Sequence, residues 1–255
     1  EPEGEHSAQS GAMGAALTGG KYISNASSSQ GVLYALESHY VTVGKRAGGF
    51  VLQVASRVVS RHSLNVMGGH DDVYSLLPAG YTIFFGATPE EAADLALISF
   101  RTSALSLIPV ANCMDGFSTS HMLSEARLPE DDLVREYLGD PTCRIKCPTV
   151  AQEILYGDAQ GMRQLVPSLV DTDNPGMSGA VQNQPDFQSG VADSRTHFAA
   201  DVPRLARRAM DEYNALPGRE YAPVRTFMCE DAEVILVGLG SITQDVQAVL
   251  PHLRR

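Results

Sequence analysis

What this 255-residue chain lacks narrows its class first. No apolar run is long enough to cross a bilayer as a helix. The opening residues have neither the basic nor the apolar region of a secretory leader. Basic residues are scarce: 19 Lys and Arg stand against 30 Asp and Glu, a net charge of −11. Nonspecific nucleic-acid binding rests on a basic face, so that class is set aside. The expected setting is cytoplasmic, with no membrane and no nucleic acid as partner. Cysteine is also thin. Cys113, Cys143, Cys147 and Cys229 form neither the two tight pairs of a four-cysteine zinc site nor the dense run of an iron–sulfur protein. They read as reduced thiols, and no metal ligand is assigned. Arg144 and Lys146, between Cys143 and Cys147, leave redox sensitivity of that pair open. Gly238 and Gly240 lack the third glycine of a dinucleotide fingerprint, so no nicotinamide cofactor is expected. No sequence repeat or low-complexity tract stands out.

What is present is an alternation of short apolar runs and amphipathic stretches, in a length that suits one large domain or one and a half. Lys21–Ala26, Gly49–Ser56, Tyr81–Phe85 and Leu107–Asn112 read as strands. A helix rich in Ala and Gly spans Gln9–Leu17 with its N-terminus near Glu5. Small residues there allow close packing at a cost in helix propensity. Further helices are expected over about 32–43 and from Pro89, which is followed by Glu90 and Glu91 in the first turn. Strand followed by helix, repeated, predicts an α/β fold: a mainly parallel, doubly wound sheet with helices on both faces. From about 128 to 200 the chain reads as a loop-rich excursion. It has turn chemistry at 172–176 and 182–186, and short amphipathic helices at Thr149–Leu155 and Gly161–Leu169. Asp201–Tyr213 resumes a clear helix, whose Arg204, Arg207 and Arg208 form a solvated basic face. Ala232–Ser241 then reads as a parallel-type strand ending in glycines, and 243–252 as a helix. The boundary is placed at 228/229: residues 1–228 form the main domain, and 229–255 open a following α/β domain.

Polar residues concentrate where strands end. After Gly49–Ser56 come Arg57, Arg61, His62, Ser63, Asn65 and His70, within a loop punctuated by Gly68 and Gly69. In an α/β sheet this is the edge that opens onto a ligand crevice. The serines of Ser27-Ser28-Ser29-Gln30-Gly31, turning into an apolar helix, make a second polar loop suited to an anionic or polar ligand. A third follows the last strand of the set, Met114 to His121.

In order and spacing these residues resemble the pyruvate:ferredoxin (flavodoxin) oxidoreductase family of 2-oxoacid oxidoreductases, in its thiamine diphosphate pyrimidine-binding domain. The resemblance rests on Glu5 with the helix after it, Ser28-Ser29-Gln30-Gly31, Ser56-Arg57, Ser63-Leu64-Asn65 and Gly69-His70-Asp71-Asp72. It continues through Asp115-Gly116-Phe117, Thr119-Ser120-His121, Gln182-Asn183 and Gly218-Arg219-Glu220-Tyr221, and so covers most of the chain. It implies that Glu5 hydrogen-bonds the aminopyrimidine ring of thiamine diphosphate and favours the imino tautomer, which takes up the thiazolium C2 proton. A desolvated carboxylate suits that role. Ser28, Ser29 and Gln30 would line the cofactor loop. Arg57 would meet the 2-oxoacid through its guanidinium fork. Asn65, His70 and His121 are assigned to the substrate side, with loop bracing as the alternative.

The reaction implied is oxidative decarboxylation of a pyruvate-type 2-oxoacid to acyl-coenzyme A, with electrons passed through iron–sulfur clusters to ferredoxin or flavodoxin. The family's Pro-Ile-Thr-Pro turn, its Gly-Asp-Gly magnesium and diphosphate motif and its ferredoxin-like cysteines have no counterpart in this sequence. The segment from Cys143 to Met177 is longer than the family norm. Thiamine diphosphate would therefore be shared with another domain or subunit, magnesium and clusters would lie elsewhere in a homo- or hetero-oligomer, and the chain would be incomplete alone. The other reading is a non-catalytic scaffold, as in some sulfite reductase flavoproteins. Retention of Glu5 and Arg57 together favours the enzyme, because a scaffold needs neither.

Overall fold

A computed structural model describes residues 1–173, 179–216 and 218–254. Its centre is a wholly parallel sheet of β1 (Ile23–Ser27), β2 (Phe50–Ser56), β3 (Thr82–Gly86) and β4 (Val110–Asp115) in the order β1-β2-β4-β3. Ile23 stands opposite Phe50, and Val110 stands opposite both Val51 and Thr82. Side chains along a strand alternate between faces. Phe50, Leu52, Val54, Ala111 and Cys113 therefore share one core with Val32, Val43, Val73 and Leu76. That core lies under α1 (Glu5–Leu17), α2 (Gln30–Tyr34), α3 (Leu36–Gly44) and α4 (Asp71–Leu76). The alternate residues of β2 and β4 face α5 (Pro89–Ser106). There Asn112 donates to the Ala92 carbonyl at 2.9 Å and to Gln53 at 2.8 Å.

This layering follows from handedness. The chain advances along the sheet from β1 through β2 to β3, then steps back to place β4 between β2 and β3. A right-handed crossover that reverses direction must put its helix on the opposite face. That helix is α5. It begins with Thr88 capping the Glu91 amide and Pro89 in the first turn, as the sequence signals. The expected doubly wound α/β sheet is present, with the ends of β1, β2 and β4 on one edge.

Several sequence expectations shift. The helix placed over 32–43 breaks at Ala35 into α2 and α3. The last strand starts three residues later than read, because α5 runs to Ser106 and ends on Leu107 in the left-handed region, φ 58°. The excursion is structured. It holds α6 (Asp131–Leu138), an antiparallel pair of β5 (Arg144–Lys146) and β6 (Met162–Gln164) with α7 (Val150–Tyr156) between them, and α8 (Gln184–His197). The helix expected at Gly161–Leu169 is instead β6. The stretch at 182–186 is not a turn but the start of α8, where the Asn183 side chain accepts from the Asp186 amide. Of the turn expected at 172–176, Asn174, Pro175 and Gly176 lie outside the described residues. A 3-10 turn leads into α9 (Val202–Asn214), and α10 (Ile242–Leu253) comes last. Val234–Gly240 joins neither sheet. Val234 is 88% and Val237 91% exposed, because a strand of this composition needs neighbours on both sides that these residues do not supply.

The reason β6 overrides helical patterning is Arg163. It is fully buried, and its guanidinium donates to Gln152 Oε1 (2.9 Å), to the carbonyls of Gln164 and Leu165 (2.7 Å each), and to those of Ala104 (2.8 Å) and Leu105 (3.3 Å). The last two belong to the final turn of α5, whose carbonyls have no partner within the helix and carry its negative pole. Burial pulls the Arg163 pKa down to about 10, so the side chain stays charged at neutral pH. Arg163→Met should leave several buried carbonyls unpaired and lower stability by at least about 3 kcal/mol. The urea unfolding midpoint checks this, and a midpoint within experimental error of the parent would refute the anchoring role.

A second buried network sets the pose of α1. Gln9 is fully buried and donates to Thr42 on α3 at 3.0 Å, while its carbonyl accepts from Asn25 on β1 at 2.9 Å. Tyr81 joins through its hydroxyl, 3.1 Å from His39 Nδ1. Burial lowers the His39 pKa to about 4, and its Nε2 has no hydrogen-bond partner. An unfolded chain takes up this proton near pH 6.5. Between these two values the unfolded state binds more protons, so stability should fall as pH drops from about 6.5 toward 4, by on the order of 3 kcal/mol. Above that window His39 should add no slope. Urea midpoints across the range, compared with His39→Gln, test the sign. Equal slopes in the two proteins would show that His39 is not the group responsible.

Candidate functional site

Gln9 also decides where Glu5 points. The two are one turn apart on α1 and so lie on the same side of the helix. Binding Gln9 to β1 turns Glu5 toward the loop that leaves β1. A methyl group on Gly31 would sit 2.7 Å from Glu5 Cγ, 3.0 Å from its Oε1 and 2.7 Å from Ser27 Oγ. Only glycine admits that approach. Ser27 Oγ is buried without a partner, and Glu5 makes no ion pair among the described residues. Glu5 is exposed, so the desolvation expected for it is not supplied by the described residues.

The other residues of this loop spend their side chains on the end of β2 and the loop after it. Ser28 Oγ donates to the Ala55 carbonyl (2.6 Å), Ser29 Oγ to that of Val58 (2.7 Å), and Gln30 Nε2 to Ser60 Oγ (2.7 Å). Ser29 holds φ 51° and ψ −122°, a conformation that L residues rarely adopt.

Arg57 opens the loop after β2, at the switch point of the sheet. β2 and β4 are neighbours, yet their chains leave toward opposite faces, and ligands of open α/β sheets bind at such a crevice. Ser56 and Asp115 are paired in register, and the Gly116 amide donates to the Ser56 carbonyl at 2.7 Å. A methyl group on Gly116 would lie 2.3 Å from Arg57 Cγ, so the absence of a side chain there makes room for Arg57. Arg57 Nε is buried without a partner, and no carboxylate pairs with its guanidinium among the described residues. Its backbone bridges to Gly68, closing the loop at its base.

The three residues assigned to the substrate side have internal partners. His70 Nε2 bonds Asp115 Oδ1 at 2.9 Å, and its ring lies edge-on to Phe85. Asp115 Oδ2 accepts from the amide (2.5 Å) and hydroxyl (2.7 Å) of Ser241, so His70 takes part in tying the terminal segment to the end of β4. Asn65 is exposed and accepts from the Met67 amide at 2.8 Å, a local turn. His121 is exposed and stacks on Phe117 at 4.9 Å. The structure thus brings Glu5 to the loop after β1 and Arg57 to the switch point, and gives His70, Asn65 and His121 bracing contacts.

Sequence reading missed Gln9, Asp94, Asp115 as a junction, and above all Asp72. Asp94 is buried under α9 and accepts from Tyr213, Tyr221 and Arg219. It was hidden because acids in the first turns of a helix are ordinary. Asp72 was hidden for the same reason, following Asp71 at the start of α4.

The fold and this edge define a class: a parallel α/β domain whose carboxyl edge offers an unpaired carboxylate, an orphaned hydroxyl and an unpaired guanidinium on neighbouring loops. The family described as "Pyruvate flavodoxin/ferredoxin oxidoreductase, thiamine diP-bdg" matches residues 1–187, and the chain belongs to that family. It is 27% identical over 253 residues to the pyruvate-flavodoxin oxidoreductase of Enterobacter agglomerans, covering 98% of this chain and 20% of that protein. It is 30% identical over 240 residues to the probable pyruvate-flavodoxin oxidoreductase of Escherichia coli K12, covering 93% of this chain and 18% of that one. Against pyruvate synthase subunit PorA of Methanothermobacter thermautotrophicus, identity is 28% over 254 residues, with 99% and 59% covered. The chain thus spans about a fifth of the length of the first two and 59% of the third. No described helix is long and apolar enough to cross a membrane.

The strained turn has a measurable signature. Ser29→Ala and Ser29→Gly both lose the bond to Val58, but only glycine relieves the positive φ. Ser29→Gly should be the more stable of the two by about 1 kcal/mol. Chemical denaturation of both checks this, and equal stability would mean that Ser29 is not strained.

Proposed function

We propose that this chain is the pyrimidine-side component of a thiamine diphosphate-dependent 2-oxoacid oxidoreductase, acting on pyruvate or a close relative. The observation that carries the reading is the set of groups left unpaired at one sheet edge: the Glu5 carboxylate beside Ser27 and Gly31, and Arg57 at the switch point. These residues fit an aminopyrimidine, with a carboxyl to hold a proton against a ring nitrogen and a small-residue loop that leaves space beside it. They also fit a 2-oxoacid, whose carboxylate matches a guanidinium in two parallel hydrogen bonds. Bound thiamine diphosphate would supply the carbon nucleophile and the electron sink that decarboxylation requires. Glu5 would hold the pyrimidine and keep a proton at its carboxyl oxygen. Ser28, Ser29 and Gln30 would shape the cofactor loop, chiefly through their backbone because their side chains are engaged. Arg57 would orient the substrate, and Asn65, His70 and His121 would define the surroundings of that site.

In this reading residues 1–228 form the pyrimidine-binding domain and 229–255 open the next α/β domain. The apolar Val234–Gly240 would gain its strand partners there. Magnesium, iron–sulfur clusters, coenzyme A and ferredoxin or flavodoxin would be handled by other domains or subunits of a cytoplasmic oligomer. The test uses the assembled oxidoreductase with Glu5→Gln, which preserves size and hydrogen bonding but not the exchangeable carboxyl proton. Exchange of the cofactor C2 proton with deuterated solvent should slow about 10²–10⁴-fold, while thiamine diphosphate content falls much less. Equal exchange in both proteins would reduce Glu5 to a helix-terminus carboxylate. An assembly that takes up no thiamine diphosphate would favour the scaffold reading.

A further inference from the structure

The carboxylate that organises this edge is neither Glu5 nor any other residue assigned above. Asp72 is fully buried at the start of α4, and both its oxygens are used. Oδ2 accepts from the backbone amides of Ser29 (2.7 Å) and Arg57 (3.0 Å), while Oδ1 accepts from the Val73 amide (2.8 Å) and lies 2.8 Å from Ser56 Oγ, whose single proton also faces the Gly69 carbonyl at 2.5 Å. No cation pairs with it among the described residues. Ser29 lies 43 residues before it and Arg57 15 residues before it, so one carboxylate joins loops from two strands.

We propose that Asp72 is a positioning residue that acts through the backbone of Arg57 and Ser29 to hold the substrate-side guanidinium and the cofactor-side turn in one rigid frame. The role rests on the oxidoreductase reading given above. Three observations support it. Ser29 keeps its strained φ only because its amide and hydroxyl are both held, by Asp72 and by Val58. The Arg57 amide is fixed at the residue where β2 leaves the ladder, so the direction of its side chain follows from that bond and from the space over Gly116. The donors are two loop amides, a helix amide and a hydroxyl, all neutral, so the group is not one half of an ion pair. Only an acceptor with two free oxygens can serve them all. An amide in its place must turn an NH₂ toward one pair of donors. A displacement of about 1 Å in a substrate-holding group is enough to lose about 10²-fold in rate.

The test is made in the assembled oxidoreductase with Asp72→Asn, Ser56→Ala, Arg57→Lys and the double variant Asp72→Asn/Arg57→Lys. Hydrogen-exchange mass spectrometry without substrate or added cofactor should show the Ser29 and Arg57 amides exchanging at least about tenfold faster in Asp72→Asn. Pyruvate kinetics should show a raised KM and a kcat/KM lower by about 10²-fold, at near-parental thiamine diphosphate content. In the Arg57→Lys background the same change should cost less than about threefold, because the group being positioned is already compromised. If the two losses multiply, or if exchange and kinetics in Asp72→Asn match the parent, Asp72 is a structural bond only and the proposal falls. Should Asp72→Asn fail to assemble, Ser56→Ala removes the hydroxyl shared between Asp72 and the Gly69 carbonyl and leaves the three amide donors in place. Faster exchange at Arg57 with a raised KM then supports the frame, and parental values refute it. A parent assembly that neither binds thiamine diphosphate nor turns over pyruvate defeats the functional reading itself, and Asp72's role in positioning substrate goes with it.

Discussion

A parallel ladder that ends must hand its last amides and carbonyls to other partners, because a buried backbone group left unpaired costs free energy comparable to a lost hydrogen bond. The edge where β1, β2 and β4 finish is shaped by that demand. The Ser56 carbonyl takes the Gly116 amide, while Asp72 takes the amides of Ser29 and Arg57. Much of the polarity gathered there closes the sheet and is not available to a ligand. Ser28, Ser29, Gln30 and His70 belong to this bracing set. Removing them from consideration isolates what the backbone does not need: the Glu5 carboxylate, Ser27 Oγ and the Arg57 guanidinium. The candidate site is the remainder.

The opposite face explains why the edge can be held so firmly. β3, α5 and β4 form the unit that places Gly116 over Arg57, and α5 is fixed near both ends from outside the sheet. At its C-terminus Arg163 occupies the last carbonyls. Near its N-terminus Asp94 is held by two tyrosines and Arg219, and burial followed by the Asp94 hydrogen bond pushes the Tyr213 and Tyr221 pKa values up. The chain after β4, from the excursion through Tyr221, therefore braces the sheet's second layer as well as covering it. Residues 218–221 make no described contact with Glu5 or Arg57, yet they pin the helix whose crossover sets β4 between its neighbours.

The sheet was legible in the sequence because its strands are short apolar runs bounded by glycine and proline, and because α5 begins with a capping threonine and a proline. Ser27–Gly31, Arg57 and the loop from Asp115 could be placed at one edge because the strands of a parallel sheet all end on the same side, whereas Glu5 came from the family resemblance alone. What escaped reading depends on partners distant in sequence. Arg163 sits in a stretch of helical appearance and becomes a strand residue because it must meet carbonyls some sixty positions earlier. Asp72 resembles a dipole-favouring acid of a first helical turn, and Asp94 an ordinary acid one turn further into its helix, until burial and their hydrogen bonds distinguish them. Asn183 was read as loop chemistry, since a cap residue and a turn residue are the same residue types. Val234–Gly240 has the composition of a strand but no neighbours here to complete a ladder, so pattern alone predicted a structure these residues do not form.

The exposure of Glu5 carries its own argument. A carboxyl that must hold a proton against a weakly basic ring nitrogen works best out of water, where its neutral form is favoured. Nothing among the described residues withdraws it. The helix that carries it is fixed by Gln9, Thr42 and Asn25, so α1 does not need to move for the carboxylate to be aimed. In the role proposed for Glu5, orientation and desolvation are therefore separated: the described residues of this chain supply the first, and an opposing surface would supply the second. A chain that spans about a fifth of its larger relatives can meet the aiming requirement fully and still depend on another domain for the chemistry. Stability measured on this part would then be expected to vary independently of activity, except at Asp72, where the bond that closes the sheet edge also sets the direction of Arg57.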